Sequence, residues 1–265
     1  MNRAAFALSC LILAGTAGSC AQDLPTLPSF DYSQAHSHEI KPHRHTIPME
    51  GVRPGFNQLR LTLVVSPYGV VVSAVTDSGS ENLKYWPELK GEVLGWTFEP
   101  FLVEGKPVTA KIEEYIDPVP PERFPTTQVT PPVLRPDSQV SITLHRSVCY
   151  GTCPAYTVTV STTGVVFDGE RFVAATGKHT APADPEAVRN LAVRFIAADF
   201  YSMNASYIAG VTDNPAYDLS ISIDGRKKGV HDYVGQWVGM PAIIVELEDA
   251  VDELAQTRQW IKPAQ

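Results

Sequence analysis

The chain has 265 residues, of which 44% are hydrophobic and 19% are charged. This composition is too apolar for a chain that is disordered throughout, and it excludes a collagen, a coiled coil and a polytopic membrane protein. A net charge of −8, from 21 Lys and Arg against 29 Asp and Glu, disfavours nucleic acids and anionic membrane surfaces as partners. The length suits one large domain or two small ones.

Residues 1–21 have the pattern of an export signal. Arg3 precedes a short apolar run over residues 4–14, and small residues follow it. The apolar run is shorter than the roughly 20 residues that a membrane-spanning helix needs. We therefore expect a removable signal, and a location in the periplasm or on the outer membrane of a Gram-negative bacterium.

Two cleavage chemistries fit the end of this signal. Residues 17–20 resemble a bacterial lipobox, in which Cys20 becomes the lipidated first residue of a lipoprotein. Residues 19–21 also suit ordinary signal peptidase, which leaves Gln22 as the first residue. The membrane is expected as a partner only through a lipid anchor at Cys20.

Proline and periodicity divide the rest of the chain. Residues 22–50 are rich in Pro, Ser and His and show no helical or strand period, which predicts an extended tether. Seven prolines lie within residues 118–138 and predict a stiff, polyproline-like linker. These segments predict two domains, at residues 51–117 and 139–265.

Both predicted domains mix strands and helices. In the first, residues 59–76 predict a hairpin, a helix begins at Ser80 or Asn82 and ends at Leu94, and a strand covers Val108–Ile116. In the second, the predicted elements are strands at residues 140–144, 156–160 and 165–167, a helix that Asp184 opens, a hairpin at Asp224-Gly225 with a returning strand at residues 230–234, and a last helix over residues 243–254 with a solvated acidic face. The predicted fold class is α+β, with two small domains that each pack one or two helices on an antiparallel sheet and are joined by the Pro-rich linker.

The first domain resembles the C-terminal domain of TonB and related energy transducers. The resemblance rests on Trp96-Thr97-Phe98-Glu99-Pro100 and Gly105-Lys106-Pro107-Val108, and it spans residues 51–117. It implies a small α+β module that contacts other envelope proteins, often by strand addition. The chain lacks the long membrane anchor of a true transducer, so energy transduction is not expected.

The second domain resembles the bacterial domain-of-unknown-function family 6438 over residues 139–262. That resemblance implies a fold and an envelope context but no activity. The residues that carry it are Arg146, Cys149-Tyr150-Gly151-Thr152-Cys153-Pro154, Tyr156, Thr176-Gly177-Lys178-His179, Thr212-Asp213-Asn214-Pro215, Asp232-Tyr233-Val234-Gly235 and Trp260.

Cys149 and Cys153 are the two thiols that remain after export, so an oxidising compartment favours a disulfide between them. The pair closes a five-residue ring, for which loop entropy predicts about 2 kcal/mol of stabilisation. The C-x-x-x-C spacing differs from the C-x-x-C of redox motifs. A redox-active pair, a metal site and free thiols stay as alternatives.

Two further constellations are candidates for ligand binding. Four histidines within ten residues can bind Zn²⁺, Cu²⁺ or Ni²⁺, or can simply belong to a solvated tether. Four charged residues beside turns and strand ends can gather into a ligand cleft, or can serve as ion pairs and turn caps. The histidines are His36, His38, His43 and His45, and the cleft residues are Arg146, Lys178, Asp213 and Asp232.

No catalytic motif was found among the common hydrolase, zinc-protease, nucleotide and dinucleotide signatures. We therefore expect no enzyme activity and no cofactor. The preferred hypothesis is a non-enzymatic envelope protein that binds a protein, a peptide or a cell-wall component. The alternatives are a periplasmic thiol-redox or metal-handling protein, which would use Cys149/Cys153 or the His36–His45 tract, and, least favoured, a hydrolase.

Overall fold

A computed structural model describes residues 26–40, 45–76 and 81–261. Within these residues the α+β class is confirmed, with two sheet-rich units and a helix-covered core in each. No helix in the described part is long and apolar enough to cross a membrane. The export signal, including Cys20, lies outside the described residues.

The first unit contains a five-stranded sheet in which β7 is central and pairs with β1, β2 and β3, while β4 pairs with β3. β3 and β4 form the predicted hairpin, because Leu59, Leu61, Leu63 and Val65 alternate into the core. The elements are β1 (Ser29–Phe30), α1 (Tyr32–His36), β2 (Thr46–Pro48), β3 (Leu59–Val65), β4 (Val71–Thr76), a 3₁₀ turn (Glu81–Tyr85), α2 (Trp86–Leu94), β5 (Leu102–Val103), β6 (Lys106–Pro107) and β7 (Ala110–Val119).

Two expectations for this unit are wrong. The tether predicted at residues 22–50 contains regular structure in its described part, because Ser29–Phe30 (β1) and Thr46–Pro48 (β2) both pair in parallel with β7. The last strand also runs three residues further than predicted, through Pro118. Proline is tolerated there because β3 pairs with β7 only as far as Ile116, so that side of Pro118 needs no backbone donor.

The second unit is a seven-stranded sheet in the order β11-β10-β9-β8-β13-β14-β12. All neighbours are antiparallel except β12 and β14. The elements are β8 (Val140–Arg146), β9 (Ala155–Ser161), β10 (Gly164–Arg171), β11 (Gly177–Ala181), α3 (Pro185–Ala197), β12 (Ser206–Ile208), β13 (Tyr217–Ile223), β14 (Arg226–Tyr233) and α4 (Ile243–Ala255), with 3₁₀ turns at Phe200–Ser202, Gly235–Val238 and Thr257–Gln259.

Local chemistry explains the turns and caps of this unit. The Asp184 side chain accepts a hydrogen bond from the Glu186 backbone N–H at 3.0 Å and so caps α3, as predicted. Asp224 and Gly225 both adopt positive φ angles, at 50° and 83°, between β13 and β14. That conformation gives the tight hairpin that the Asp-Gly pair predicts.

The proline-rich segment after β7 lies against the second unit. The Arg123 backbone N–H donates to the Gly239 carbonyl at 2.8 Å, and the Val129 N–H donates to the Ser202 hydroxyl, also at 2.8 Å. Val119 shares a small apolar cluster with Ala209 and Trp237, which joins the end of β7 to the second unit. How the chain divides into independently folding domains stays a prediction.

Candidate functional site

Four side chains form a polar row at one end of four neighbouring strands of the second sheet. Arg146 on β8 lies directly opposite Tyr156 on β9 and Tyr217 on β13, and Tyr217 lies opposite Asp232 on β14. Directly opposed residues of antiparallel strands share one face of the sheet. Two of the four predicted cleft residues, Arg146 and Asp232, therefore lie in one row with two tyrosines between and beside them.

Helix α4 covers this row and supplies its acidic partners. The Arg146 guanidinium donates to Asp252 at 2.8 Å and to Asp249 at 3.2 Å. Its centre lies 4.4 Å from the Tyr217 ring, close enough for a cation–π contact. The Tyr156 hydroxyl donates to the other oxygen of Asp252 at 2.8 Å. The acidic face of α4 is therefore only partly solvated, contrary to expectation, because Asp252 and Asp249 hold the arginine.

Two buried carboxyls complete what we call the Arg146 cluster, which consists of Arg146, Tyr156, Tyr217, Asp232, Glu248 and Asp252. Glu248 on α4 is 1% exposed, and burial raises its pKa to about 9, with the Asp232 charge adding to the rise and Arg146 opposing it. Burial raises the pKa of Asp232 to about 6, and the hydrogen bond that its carboxylate accepts from the Gly235 N–H opposes this rise. At neutral pH Glu248 is therefore an uncharged acid.

A groove opens beside this cluster. It has a volume of about 750 Å³, and we call it the Arg146 groove. Asp249 and Glu253 are its exposed acids. Its lining residues are Arg146, Tyr156, Asp249, Asp252, Glu253, Gln256, Thr257, Arg258 and Ile261.

The disulfide predicted between Cys149 and Cys153 is confirmed, with a sulfur–sulfur distance of 2.05 Å. It closes the loop that begins three residues after Arg146. The Tyr150 backbone N–H donates to the Asp213 carbonyl at 3.1 Å, so the loop is also tied to the segment before β13. The Tyr150 side chain itself is 89% exposed.

Lys178 and Asp213 do not join Arg146 and Asp232 in the sheet row, so the predicted four-residue cleft needs correction. Lys178 lies opposite Asp168 on β10, in the row that continues through Thr157 to His145. Lys178 is therefore three strands, or about 14 Å, from β8. Its side chain points to the opposite face of the sheet from Arg146, because His145 and Arg146 are neighbours on one strand and neighbouring side chains alternate between the two faces. Asp213 contributes its carbonyl to the disulfide loop instead.

The histidine tract is described only in part. His43 lies outside the described residues, as does the side chain of His36. The His38 ring stacks on Phe101 with centroids 4.4 Å apart, so this histidine packs against the first core. The His45 side chain is 23% exposed and reaches Glu39 at 3.1 Å. The expectation that the whole tract is solvated is therefore wrong for these two histidines.

Sequence reasoning missed the acid that meets His45. Glu114 on β7 is fully buried, and its ligand atoms lie within 4.8 Å of those of Glu39 and His45. We call these three residues the Glu114 cluster. The signal was present in the strand itself, because Ala110, Ile112, Glu114 and Ile116 alternate and put a carboxyl at a core-facing position.

Comparison with known families gives a match over the part of the chain that contains the Arg146 cluster. Residues 140–255 match the family model described as a domain of unknown function, DUF6438. The matched range contains the sheet row, the disulfide and helix α4. A search of curated proteins found no match. The resemblance of residues 51–117 to the TonB C-terminal domain stays a prediction.

Proposed function

We propose that this chain is an exported, non-enzymatic binding protein of the bacterial envelope, and that it binds a basic segment of another envelope protein or peptide. The binding surface would be the disulfide loop together with the Arg146 groove. The observation that carries the proposal is the Tyr150 ring, which is 89% exposed on a loop that a covalent bond closes.

The disulfide loop is pre-organised for binding. Its disulfide and its hydrogen bond to the Asp213 carbonyl both restrict the backbone beside Tyr150. Restricting a loop before association reduces the conformational entropy that is lost on binding. Tyrosine is also among the residues that contribute most often to the binding energy of an interface. An exposed tyrosine contributes little to folding, so a role in binding accounts for it better than a role in stability.

The charges around the groove favour a basic partner. Its lining carries three acids, Asp249, Asp252 and Glu253, against two arginines, which leaves a net charge of −1. The whole chain carries a net charge of −8, which adds a long-range attraction for cations. Nucleic acid is disfavoured by the same charge.

The internal hydrogen bonds of the Arg146 cluster support a binding role over catalysis. The Tyr156 hydroxyl donates to Asp252, and Asp232 accepts from the Gly235 backbone N–H. A general acid or base needs to reach a substrate atom, whereas the Tyr156 hydroxyl holds α4 on the sheet and the Asp232 carboxylate holds the turn at Gly235. The disulfide and the signal pattern of residues 1–21 support export to the periplasm or, through Cys20, to the outer membrane.

The test is photocrosslinking in the native envelope, with p-benzoylphenylalanine at position 150. Tyr68, at the turn between β3 and β4, is 88% exposed and is the matched control position. We expect a discrete adduct from position 150 and none from position 68. The substitution Asp249→Asn should weaken the adduct from position 150, because the exposed carboxylate of Asp249 attracts a basic partner. Equal adducts from both positions, or no adduct at position 150, would contradict the proposal. An adduct that contains a cell-wall fragment would show that the partner is a cell-wall component and not a protein or peptide.

The redox alternative is tested separately. Thiol labelling with and without reductant, followed by Cys149→Ala, separates a structural disulfide from an exchanging one. A structural bond predicts lost stability and an unchanged redox phenotype. Mass spectrometry of the mature protein decides between an acylated Cys20 and a free Gln22 amino terminus.

A further inference from the structure

Glu114 occupies a position that normally belongs to an apolar residue. It lies between Ile112 and Ile116 on the core-facing side of β7, and its side chain is fully buried. Neither carboxyl oxygen has a hydrogen-bond partner among the described residues. Burying a carboxyl without a partner costs several kcal/mol, so this position calls for a ligand that compensates it.

His45 presents a ring nitrogen to the same place. Its Nδ1 lies 2.9 Å from the Tyr115 carbonyl oxygen. A carbonyl oxygen can only accept, so Nδ1 must carry the hydrogen in that contact. This leaves Nε2 directed at the Glu39 carboxylate, 3.1 Å away. A histidine whose second nitrogen donates to a backbone carbonyl has the arrangement that orients metal-bound imidazoles in proteins.

We propose that the Glu114 cluster binds one divalent transition-metal ion, for which Zn²⁺ is the probe, through Glu39, His45 and Glu114. Two carboxylates and a neutral imidazole carry two negative charges, which balance one divalent cation. Protein ligands lie about 2.0–2.2 Å from Zn²⁺, so atoms bound to one ion are at most about 4.4 Å apart, close to the 4.8 Å limit of this cluster.

The ligand types select among cations. Ca²⁺ and Mg²⁺ prefer oxygen ligands throughout, whereas an imidazole nitrogen favours Zn²⁺ and its neighbours in the first transition series. The surroundings are aromatic, because the Trp96 ring lies 5.1 Å and the Tyr32 ring 6.4 Å from the His45 ring. The Glu39 side chain is only 4% exposed, so water has little access to the charged groups.

The site differs from the one that the histidine tract predicts. Of the tract, it uses only His45, and it adds two glutamates from outside the set of histidines. Glu114 is 69 residues further along the chain and reaches the cluster through the pairing of β2 with β7. It also lies in the first unit, so it is independent of the binding surface proposed for the second.

The test titrates the full mature chain, stripped with a chelator, with Zn²⁺ by isothermal calorimetry. We expect one ion per chain, and we expect Glu114→Gln to weaken binding by about tenfold or more, since even indirect support of a ligand is worth that much. Glu248→Gln is the matched control, because Glu248 is also a buried carboxyl without a hydrogen-bond partner in the described chain. Its Zn²⁺ affinity should equal that of the wild type.

Three results would overturn the proposal: no stoichiometric binding, equal affinity in Glu114→Gln, or equal losses in both glutamine variants. Equal affinity would assign the binding to the tract, because Glu114→Gln leaves every histidine in place. If Glu114→Gln fails to fold, as judged by circular dichroism, X-ray absorption of the wild-type zinc complex decides. One imidazole with oxygen ligands is expected, and two or more imidazoles would contradict the site.

Discussion

Glu114 and Glu248 are the same side chain in two different kinds of surroundings. Both are buried, and both lack a hydrogen-bond partner in the described chain. Glu248 lies near Arg146, which also binds two aspartates of the same helix. Glu114 lies beside Glu39 and His45, and among the described residues no arginine or lysine charge acts on it.

The difference concerns what compensates a buried acid. In the second unit a permanent cation is built into the sheet, so the cluster is complete within the protein and can serve to hold α4. In the first unit the described ring beside the buried acid is that of His45, which is cationic only when protonated, and two carboxylates converge on it. Burial raises the pKa of Glu114 to about 8 and that of Glu248 to about 9. Both side chains are almost fully buried, so the charged neighbours separate the two roles.

The largest expected effect comes from removing the cation that distinguishes the two clusters. Arg146→Ala removes the charged partner of the partly buried Asp252 and the cation beside the buried Glu248, which should lower the free energy of unfolding by about 3–5 kcal/mol at neutral pH. Urea unfolding of the wild type and the variant measures this difference in the free energy of unfolding. The control is Arg60→Ala, because the Arg60–Glu113 pair is more exposed and should change stability by about 1 kcal/mol or less. Similar losses in both variants would mean that the Arg146 cluster does not hold the fold.

The next prediction concerns pH and Glu248. Its pKa is near 9 in the folded chain and near 4.5 when unfolded, so between these values the folded state binds the extra proton. Stability should therefore fall as pH rises, by about 1.4 kcal/mol per unit. Between pH 7 and 8, which is above the pKa of Asp232, the wild type should lose stability more steeply than Glu248→Gln by about that slope.

Glu246→Gln provides the control for that comparison. Glu246 lies on the same helix but is exposed, so its removal should leave the wild-type slope unchanged. Chemical unfolding at a series of pH values measures all three slopes. Parallel curves for the wild type and Glu248→Gln would show that Glu248 is already ionised at neutral pH.

A smaller effect is expected from the disulfide. Replacing Cys149 and Cys153 together by Ser should cost about 2 kcal/mol, because the bond closes only a five-residue ring. Reduction of the wild type should give the same loss in thermal unfolding. Amide hydrogen exchange should rise chiefly at Tyr150, whose N–H donates across to Asp213. A rise spread over the whole second sheet would contradict a local role for the bond.

The smallest effect on stability, and the most specific effect on binding, is expected from Tyr150→Ala. A substitution at an exposed side chain usually changes stability by less than about 0.5 kcal/mol. Binding of the partner captured at position 150 should nevertheless be lost, whereas Tyr68→Ala should leave it intact. Unchanged binding in Tyr150→Ala would remove the disulfide loop from the proposed surface.

Much of the fold could be predicted from local patterns. The alternation in β3 and β8, the Asp184 cap and the Asp-Gly hairpin are confirmed because each depends on neighbours within a few residues. The short strands β1 and β2 were missed, since they lack a pattern of their own. They form only because β7 offers an edge to pair with.

The sites show the same division more sharply. The sequence by itself determined that Arg146 and Asp232 lie at or near the ends of strands and that a cysteine pair closes a loop. The alternation in β7 also contains the signal for a core-facing Glu114, although sequence reasoning missed it. Only the tertiary structure decided that Arg146 meets α4 while Lys178 is three strands away, and that Glu114 meets Glu39 and His45. The physical reason is that alternation and capping act within a few residues, whereas strand order and register arise from pairing between distant segments.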